Sequence, residues 1–495
     1  MPLKLNDING AASEWAYGFK ATSRSIKPVH IAQVIFSHTL EESYSPDALF
    51  KFAEKPSKTP SEELPDDIRD LFEITTREKD EDLDRIRRTL RKVLDNDNAM
   101  YASQRGSAPT CTSDWFVLNP MTGVTVGRFV YHLIRETDGE LEAKLQQQLS
   151  DHHDSISVLF RPLVLDSEPT NPSVKPWQQP DADDPLEEMK IASELRDGFE
   201  RLGQHLKDKQ SARLNYPRDL RRVVKFAGVS FYLYVANRYN ELREDGNERD
   251  SRTPIVLNYT GERSNPVAQA SLDCFDTVEA EVQATTRLGV RHVLDQRGYK
   301  DKSEYSEDKI LEKIESQDLL ELSRTKQSKI DDDYETFRYI FEGDPAEETF
   351  ERLVNTVSDA IHQSRYKTYT PVDTVQTFGW RVGLLKPRGN RANERRFRPD
   401  PEVLEPIILS VLTPTESISL EELAERLRER YGIIIGGTNE DRAHLSEWGV
   451  SVGASTTETD PLANRNKEGF KNAVIDLGYG REYADDVTIV STKER

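Results

Sequence analysis

Apolar residues recur at helical spacing through the middle of the chain, from Leu186 to about Arg365. The strongest run comprises Leu220, Val223, Val224, Ala227, Phe231 and Val235. Residues three and four positions apart share one face of an α-helix, so each such run predicts a helix with a buried side. No repeat of fixed period is present in the segment, which argues against a solenoid. It is therefore expected to fold as a helical domain.

Other helices are predicted on both sides of a short extended run at residues 253–259. Before it, the same helical spacing recurs at Met189, Ala192, Leu195, Phe199, Leu202 and Leu206. After it, the predicted helical ranges are 267–294, 306–329, 334–341 and 345–366. The last range opens with Asp344 and Pro345, a first turn typical of a helix start.

A proline-rich stretch at residues 167–185 separates this segment from the N-terminal part of the chain. Proline neither continues a helix nor donates to a sheet, so the stretch is predicted to be a linker. Upstream, residues 30–36 predict a strand or a buried helix, and residues 66–94 and 140–149 predict charged helices. A chain of 495 residues is long enough for several domains. The predicted class is mainly α, divided into a mixed α/β N-terminal domain, a helical domain and a third domain at residues 1–166, 186–370 and 378–495.

The charge and cysteine content indicate an acidic protein of a reducing compartment. The formal net charge is -21, an acidic surplus that favours solubility in a salty cytosol and suggests a halophilic archaeal source. Cys111 and Cys274 are far apart and lack neighbouring ligands, which argues against a disulfide framework or structural zinc. No apolar run is long enough to span a bilayer, and no signal-peptide core is present. A cytoplasmic location without membrane contact is expected.

The residues from Lys386 to Pro399 reverse the sign of the charge locally. Against a single acid, Glu394, the segment carries six cations: Lys386, Arg388, Arg391, Arg395, Arg396 and Arg398. Such a reversal in an acidic chain predicts contact with a polyanion such as DNA. The alternative is a solvated loop that balances a neighbouring acidic surface. Phe397 among the arginines either stacks on a base or anchors the loop.

The last hundred residues contain short helices and strands in a definite order. After a strand-like run at residues 378–385, Asp400 and Pro401 predict a helix start, and Ser419 with Glu422 predicts a capping box. A buried strand at 433–435, a third helix at 464–477 and a final strand at 487–490 follow. This order resembles the winged-helix domains, whose third helix enters the major groove of DNA while a basic loop contacts phosphate.

The resemblance implies that polar residues of the third helix contact the bases of DNA, and we call them the reading residues. The matching positions are Asn466, Lys467, Lys471 and Asn472, with Arg481 near the expected wing. Asparagine pairs bidentately with adenine, and lysine reaches guanine or phosphate. Residues 437–461 intervene between the second and third helices, where the family has a short connection. Either the insertion adds a small helix at about 441–448, or the domain binds protein instead of DNA.

Catalytic motifs are weak throughout the sequence. Asp151-His-His-Asp154 superficially resembles the DHH phosphoesterases, but the further aspartate motifs of that family are missing. Asp138, Glu142 and Lys144 are the residue types of a restriction-type nuclease site. The spacing of the leucines around them predicts a helix, however, whereas that motif needs a strand. No phosphate-binding Gly-Lys-Ser/Thr loop is present. No catalytic residue, metal or cofactor is therefore assigned.

A second basic patch consists of Arg218, Arg221, Arg222 and Lys225 near a helix start. Cations there oppose the helix dipole, so either a phosphate or internal salt bridges should accompany them. Internal salt bridges are the preferred interpretation.

These observations together predict a non-enzymatic, DNA-associated accessory subunit with other protein subunits as partners. The layout resembles auxiliary components of prokaryotic genome-defence systems, which implies an antiviral role. One alternative is an interaction scaffold whose winged helix binds protein. Another is a metal-dependent nuclease or phosphodiesterase that uses the N-terminal acidic residues.

Overall fold

The computed structural model describes residues 2–20, 26, 28–41, 101–102, 110–111, 124–150, 190–206, 216–243, 249, 251–262, 264–300, 306–321, 327–363, 366, 370–387, 394–451, 462–483 and 487–492. Over these residues the protein is mainly α-helical, as the periodicity predicts, and its strands are short. The predicted helix at 66–94, the linker at 167–185 and the Asp151–Asp154 cluster lie outside them.

The elements fall into three consecutive groups along the chain. The first comprises α1 (Leu5–Tyr17), α2 (Pro28–Leu40), β1 (Tyr101–Ala102), β2 (Thr110–Cys111), α3 (Val124–Arg135) and α4 (Glu140–Ser150). The second comprises α5 (Lys190–His205), α6 (Tyr216–Leu242), β3 (Ile255–Val256), α7 (Pro266–Gln296), α8 (Glu307–Glu315), α9 (Gln327–Gly343) and α10 (Thr349–His362).

The third group begins after residue 370. It comprises α11 (Pro371–Val382), β4 (Leu385–Lys386), β5 (Arg396–Phe397), α12 (Pro401–Leu409), β6 (Ser417–Ser419), α13 (Leu420–Tyr431), β7 (Ile433–Ile434), α14 (Asn439–Glu447), α15 (Lys467–Asp476), β8 (Gly480–Glu482) and β9 (Thr488–Ser491). A π-helical turn at Leu462–Asn466 runs directly into α15.

Helix α6 lies at the centre of the molecule. From Leu220 to Ala236 nearly every side chain is buried, so the helix is enclosed on all sides. An all-round apolar helix must be covered by other elements. Its cover consists of α2, α5, α7, α11 and α12, which come from all three parts of the chain.

Helix α7 connects two buried clusters. It begins with Asn265, whose side chain accepts a hydrogen bond from the Ala268 N–H at 2.7 Å, followed by Pro266. Its N-terminal half packs on α6, and its C-terminal half joins α1 and α8 to α10 in a second cluster. The first cluster extends from Ala16 to Val490 and includes side chains on both sides of residue 378. The three-domain division stays a prediction.

The predicted strand at residues 378–385 is wrong, because most of this run belongs to helix α11. Val375, Phe378 and Val382 are buried at helical spacing, and Thr370 with Asp373 forms a capping box at the start. Gly383, with φ 94°, ends the helix, so only the last residue of the run enters a strand.

The predicted helix at 306–329 is shorter in the structure, and its last three residues belong to α9, which also contains the predicted 334–341 helix. Helix α8 ends at Glu315, and the chain turns through Gln317, whose φ is 58°. The turn is stabilised by Tyr334, whose hydroxyl donates to Leu320 O and accepts from the Leu320 N–H at 2.8 Å. The buried apolar residues of α8 and α9 therefore face the second cluster as two separate helices.

The strands pair the C-terminal elements with one another and with β3, which lies between α6 and α7. Strands β6, β9 and β8 form an antiparallel sheet in that order, with Ile418 opposite Val490. Strand β7 pairs in parallel with β3, and β4 pairs antiparallel with β5. In the described residues, no helix has the length and apolar character needed to cross a bilayer.

Gly198→Ala tests how closely α5 approaches the C-terminal part. A Cβ at this position would lie 2.4 Å from the Tyr431 hydroxyl oxygen and 2.6 Å from Phe226. We expect overpacking to lower the free energy of unfolding by about 1–3 kcal/mol in urea denaturation. Gly343→Ala is the control, because its Cβ would meet nothing within 4 Å. Equal stability of the two variants would contradict this packing.

Candidate interaction surfaces

Strands β4 and β5, at the two ends of the basic segment, pair antiparallel against the start of α7, and we call this pair the basic hairpin. In β4, Lys386 donates to the Asp400 carboxylate, so its charge is already compensated. Arg388 and Arg391 lie outside the described residues. In β5, Arg396 is half-buried, and Arg398 just after the strand is exposed.

Arg395 and Phe397 hold the hairpin in place. The Arg395 side chain is only 4% exposed, lies over the Phe275 ring at 5.9 Å, and has its pKa lowered by burial. Phe397 is fully buried, and its N–H donates to Ser271 Oγ at 2.9 Å. Of the two roles that the sequence left open for Phe397, the structure shows the anchor. Arg395 likewise packs in the interior.

A groove of about 480 Å³ lies beside the hairpin at the N-terminal end of α7. Its lining includes Ser264, Asn265, Gln269, Glu394, Arg395 and Arg396. A helix N-terminus carries partial positive charge, and the two arginines add to it. The lining therefore has a formal excess of one positive charge, from two arginines against Glu394.

Asn466, a predicted reading residue, is buried at the start of α15. Its amide nitrogen donates to Leu257 O at 2.7 Å and to Ile435 O at 2.8 Å. Its amide oxygen accepts from the Tyr259 N–H at 2.7 Å. The side chain thus joins the loop after β3, the end of β7 and α15, and its amide faces the protein interior.

The two predicted lysines are engaged with carboxylates. Lys467 donates to Glu421 of α13, which lowers the Glu421 pKa. Lys471 lies 2.8 Å from Glu468 and 3.0 Å from Glu482, and hydrogen bonds to these carboxylates raise the pKa of the Lys471 ammonium. Both lysines therefore lie in ion pairs that neutralise their charge.

The exposed surface of α15 has an acidic surplus, because its two lysines are matched by Glu421, Glu468 and Glu482, and Asp476 adds a further carboxylate. Its exposed residues are Glu468, Asn472 and Asp476, and we refer to them as the α15 face. Glu421 and Glu425 of α13 and Glu440 of α14 are exposed beside it. Of the four predicted reading residues, only Asn472 is exposed and outside an ion pair or a buried hydrogen-bond network.

The second basic patch forms the internal salt bridges that the sequence favoured. Arg218 and Arg222 both bind Glu405 of α12, and Tyr479 donates to the same carboxylate at 2.8 Å. Burial opposes the charge on Glu405, yet Arg222 and the other donors lower its pKa overall. The network fixes α12 and the residue before β8 onto α6.

Asp138, Glu142 and Lys144, whose residue types match a nuclease motif, have structural roles. Glu142 and Lys144 lie on helix α4, as their spacing predicts, instead of a strand. Glu142 accepts from the Tyr131 hydroxyl, and Lys144 donates to Gly203 O at 3.0 Å. Asp138 accepts from the Glu140 N–H at 3.0 Å. Among the residues that the structure describes, no three His, Cys, Asp or Glu side chains form a possible metal site.

Comparison with known families associates the chain with genome defence. Residues 269–489 match the family described as methylation-associated defense system protein MAD7. The match begins in α7 and ends in β9, so it includes the basic hairpin, α13 and α15. The search of curated proteins gave no match. The family match supports the predicted association with a genome-defence system.

Sequence reasoning missed the partners of these lysines for a physical reason. Glu421 and Glu482 are distant from Lys467 and Lys471 in sequence, and only tertiary folding brings them together. A local signal did exist at Glu468, three residues before Lys471 on the same helix face.

Asn466→Ala and Asn472→Ala distinguish a structural asparagine from an exposed one. We expect Asn466→Ala to lower the free energy of unfolding by about 2–3 kcal/mol, because it leaves buried backbone groups without partners. Asn472→Ala should change it by less than about 0.5 kcal/mol, as for an ordinary surface position. Chemical denaturation followed by circular dichroism measures both. A stable Asn466→Ala variant would contradict the interior role of this amide.

Proposed function

We propose that the chain is a non-catalytic accessory subunit of a defence system and that its C-terminal end is a winged-helix-like module that docks a partner protein. The family match supports the defence assignment. The order of α12, β6, α13, α15, β8 and β9 supports the module, because it alternates helices and strands as winged helices do. The antiparallel sheet with β9 between β6 and β8 completes that arrangement.

The negative charge of the α15 face is the main reason to propose a protein partner instead of DNA. A reader helix must approach DNA, which carries about one negative charge per 1.7 Å of its axis. Glu468, which pairs with Lys471, and Asp476 are exposed on α15, and the carboxylates around the helix outnumber its two lysines. Phosphate would be repelled there, whereas a basic protein surface would be attracted.

Exposed apolar side chains beside the facing ends of β8 and β9 add surface suited to a protein contact. Tyr483 is 53% exposed and Val487 is 45% exposed, and the Tyr483 N–H donates to Val487 O at 2.9 Å. Aromatic side chains are enriched in protein interfaces. Helix α14, inserted between α13 and α15, adds further carboxylates instead of the short connection of DNA-reading members.

Reversing the charge of the α15 face tests this proposal. We expect Glu468→Lys with Asp476→Lys to weaken co-elution with partner subunits, co-expressed from the neighbouring genes, by about tenfold. The affinity for DNA should stay constant or rise. Glu312→Lys with Glu335→Lys makes the same charge change on exposed positions of α8 and α9 and should assemble normally. Normal assembly of the α15 variant would contradict docking of a partner through this face.

A second candidate function, contact with DNA phosphate, is favoured by the basic hairpin. Arg396 lines the groove at the N-terminus of α7, and Arg398 is exposed beside it. Arg388 and Arg391 add cations to the same segment of the sequence. Contact of this kind positions a protein on DNA without reading its sequence. It is compatible with protein docking, because it uses a different surface.

Arg396→Glu with Arg398→Glu tests the phosphate contact without disturbing buried Arg395. We expect weaker binding to all DNA sequences alike, and a slope of log affinity against log salt that is smaller by about two. Fluorescence anisotropy of a labelled duplex at several salt concentrations measures both quantities. Lys309→Glu with Lys329→Glu is the matched control, since both lysines are exposed on α8 and α9. Equal affinities of the two double variants would exclude a specific contact.

A further inference from the structure

A small groove lies between α13 and α15 and is closed at one end by the start of α14. Its volume is about 250 Å³. Apolar side chains from three elements form its floor, namely Leu420 and Ala424 of α13, Ile435 after β7, and Phe470 of α15. Leu420, Ile435 and Phe470 are almost fully buried in the core, so the floor is rigid.

Carboxylates surround this floor. The ionisable residues of the lining are four acids and two cations: Glu421, Glu425, Glu440, Asp441, Arg428 and Lys467. Both cations are already engaged, because Arg428 lies 3.2 Å from Asp441 and Lys467 donates to Glu421. Glu425 is 57% exposed, and its ion-pair contact with Arg428 is long at 3.9 Å.

Glu440 is the second carboxylate directed toward solvent at the rim. Its own backbone N–H and the Thr438 hydroxyl lower its pKa, so it is ionised near neutral pH. It lies in the first turn of α14, whose N-cap is Thr438. Glu425 and Glu440 therefore provide negative charge that the lining does not neutralise.

The size of the groove limits what it can hold. Pockets for small molecules usually measure about 300–1,000 Å³, so this groove suits a single long side chain better than a cofactor. An apolar floor with an acidic rim matches a side chain that has an aliphatic stem and a cationic head. Arginine fits best, because its planar guanidinium binds two carboxylate groups and it is common at the centre of interfaces.

We propose that this groove receives an arginine side chain from a basic segment of the partner protein. The inference rests on the proposed function, since it names the chemistry recognised by the docking module. The aliphatic stem lies on Ala424 and Phe470, and the guanidinium binds Glu425 and Glu440. The groove would then supply the specific anchor within a wider acidic docking surface.

Two variants of the full chain test the groove by charge and by shape. Glu425→Gln with Glu440→Gln should weaken binding of a fluorescein-labelled hexa-arginine peptide by about fivefold, as expected for the loss of two exposed ion pairs. Ala424→Phe fills the groove without changing the charge and should weaken binding similarly. Fluorescence anisotropy gives the affinities, and thermal melting shows whether each variant is folded.

A matched control removes the general attraction of an acidic protein for a cationic peptide. Glu312→Gln with Glu335→Gln makes the same charge change away from the groove and should bind the peptide as the natural chain does. An equal loss in this control, or unchanged affinity in folded Ala424→Phe, would overturn the inference.

Assembly with partner subunits separates this inference from the function on which it rests. Loss of co-elution in both groove variants and in Glu468→Lys with Asp476→Lys supports both proposals. If only the α15 variant loses its partner, docking stands and the arginine anchor is wrong. If all of these variants assemble normally, the docking function is wrong as well.

Discussion

The burial of α6 is the constraint on which the rest of the structure depends. A helix without a polar face is stable in water only when other elements cover it, and burying each large apolar side chain contributes about 1.5–3 kcal/mol. The covering helices come from the beginning, middle and end of the chain. The C-terminal module is thus part of the same packed body as α6, and its exposed surfaces have fixed positions relative to that body.

Polar contacts fix the orientation of this module on α6. Apolar packing alone would define that orientation less specifically. Glu405 receives two arginines and Tyr479, so α12 and the start of β8 have one arrangement on α6. Asn466 performs the same role between α15 and the loop after β3. A buried charge or amide is stable only when its partners are in place, so an alternative packing would leave several groups unsatisfied.

The helices were predictable from sequence, whereas the properties of the surfaces depend on tertiary pairing. Apolar spacing locates α5, α6 and α7 because burial of one face is a local pattern. The same reasoning fails at residues 378–385, where a short, largely apolar run interrupted by Arg381 is compatible with a helix or a strand, and Gly383 in fact ends a helix. The cations of α15 suggest a DNA reader only while their distant carboxylate partners are unknown.

The basic hairpin and the acidic module are joined by the loop that follows β3. Its Asn258 N–H donates to Phe397 O at 2.8 Å, which holds the hairpin, and the next residue, Tyr259, binds Asn466 at the start of α15. The Tyr259 ring also packs on Phe470, which is part of the floor of the groove between α13 and α15, with ring centroids 5.6 Å apart. Two adjacent residues therefore contact both surfaces. In the proposed arrangement, DNA phosphate and a partner protein would be held at a fixed separation, because this short, hydrogen-bonded loop leaves little freedom between their sites.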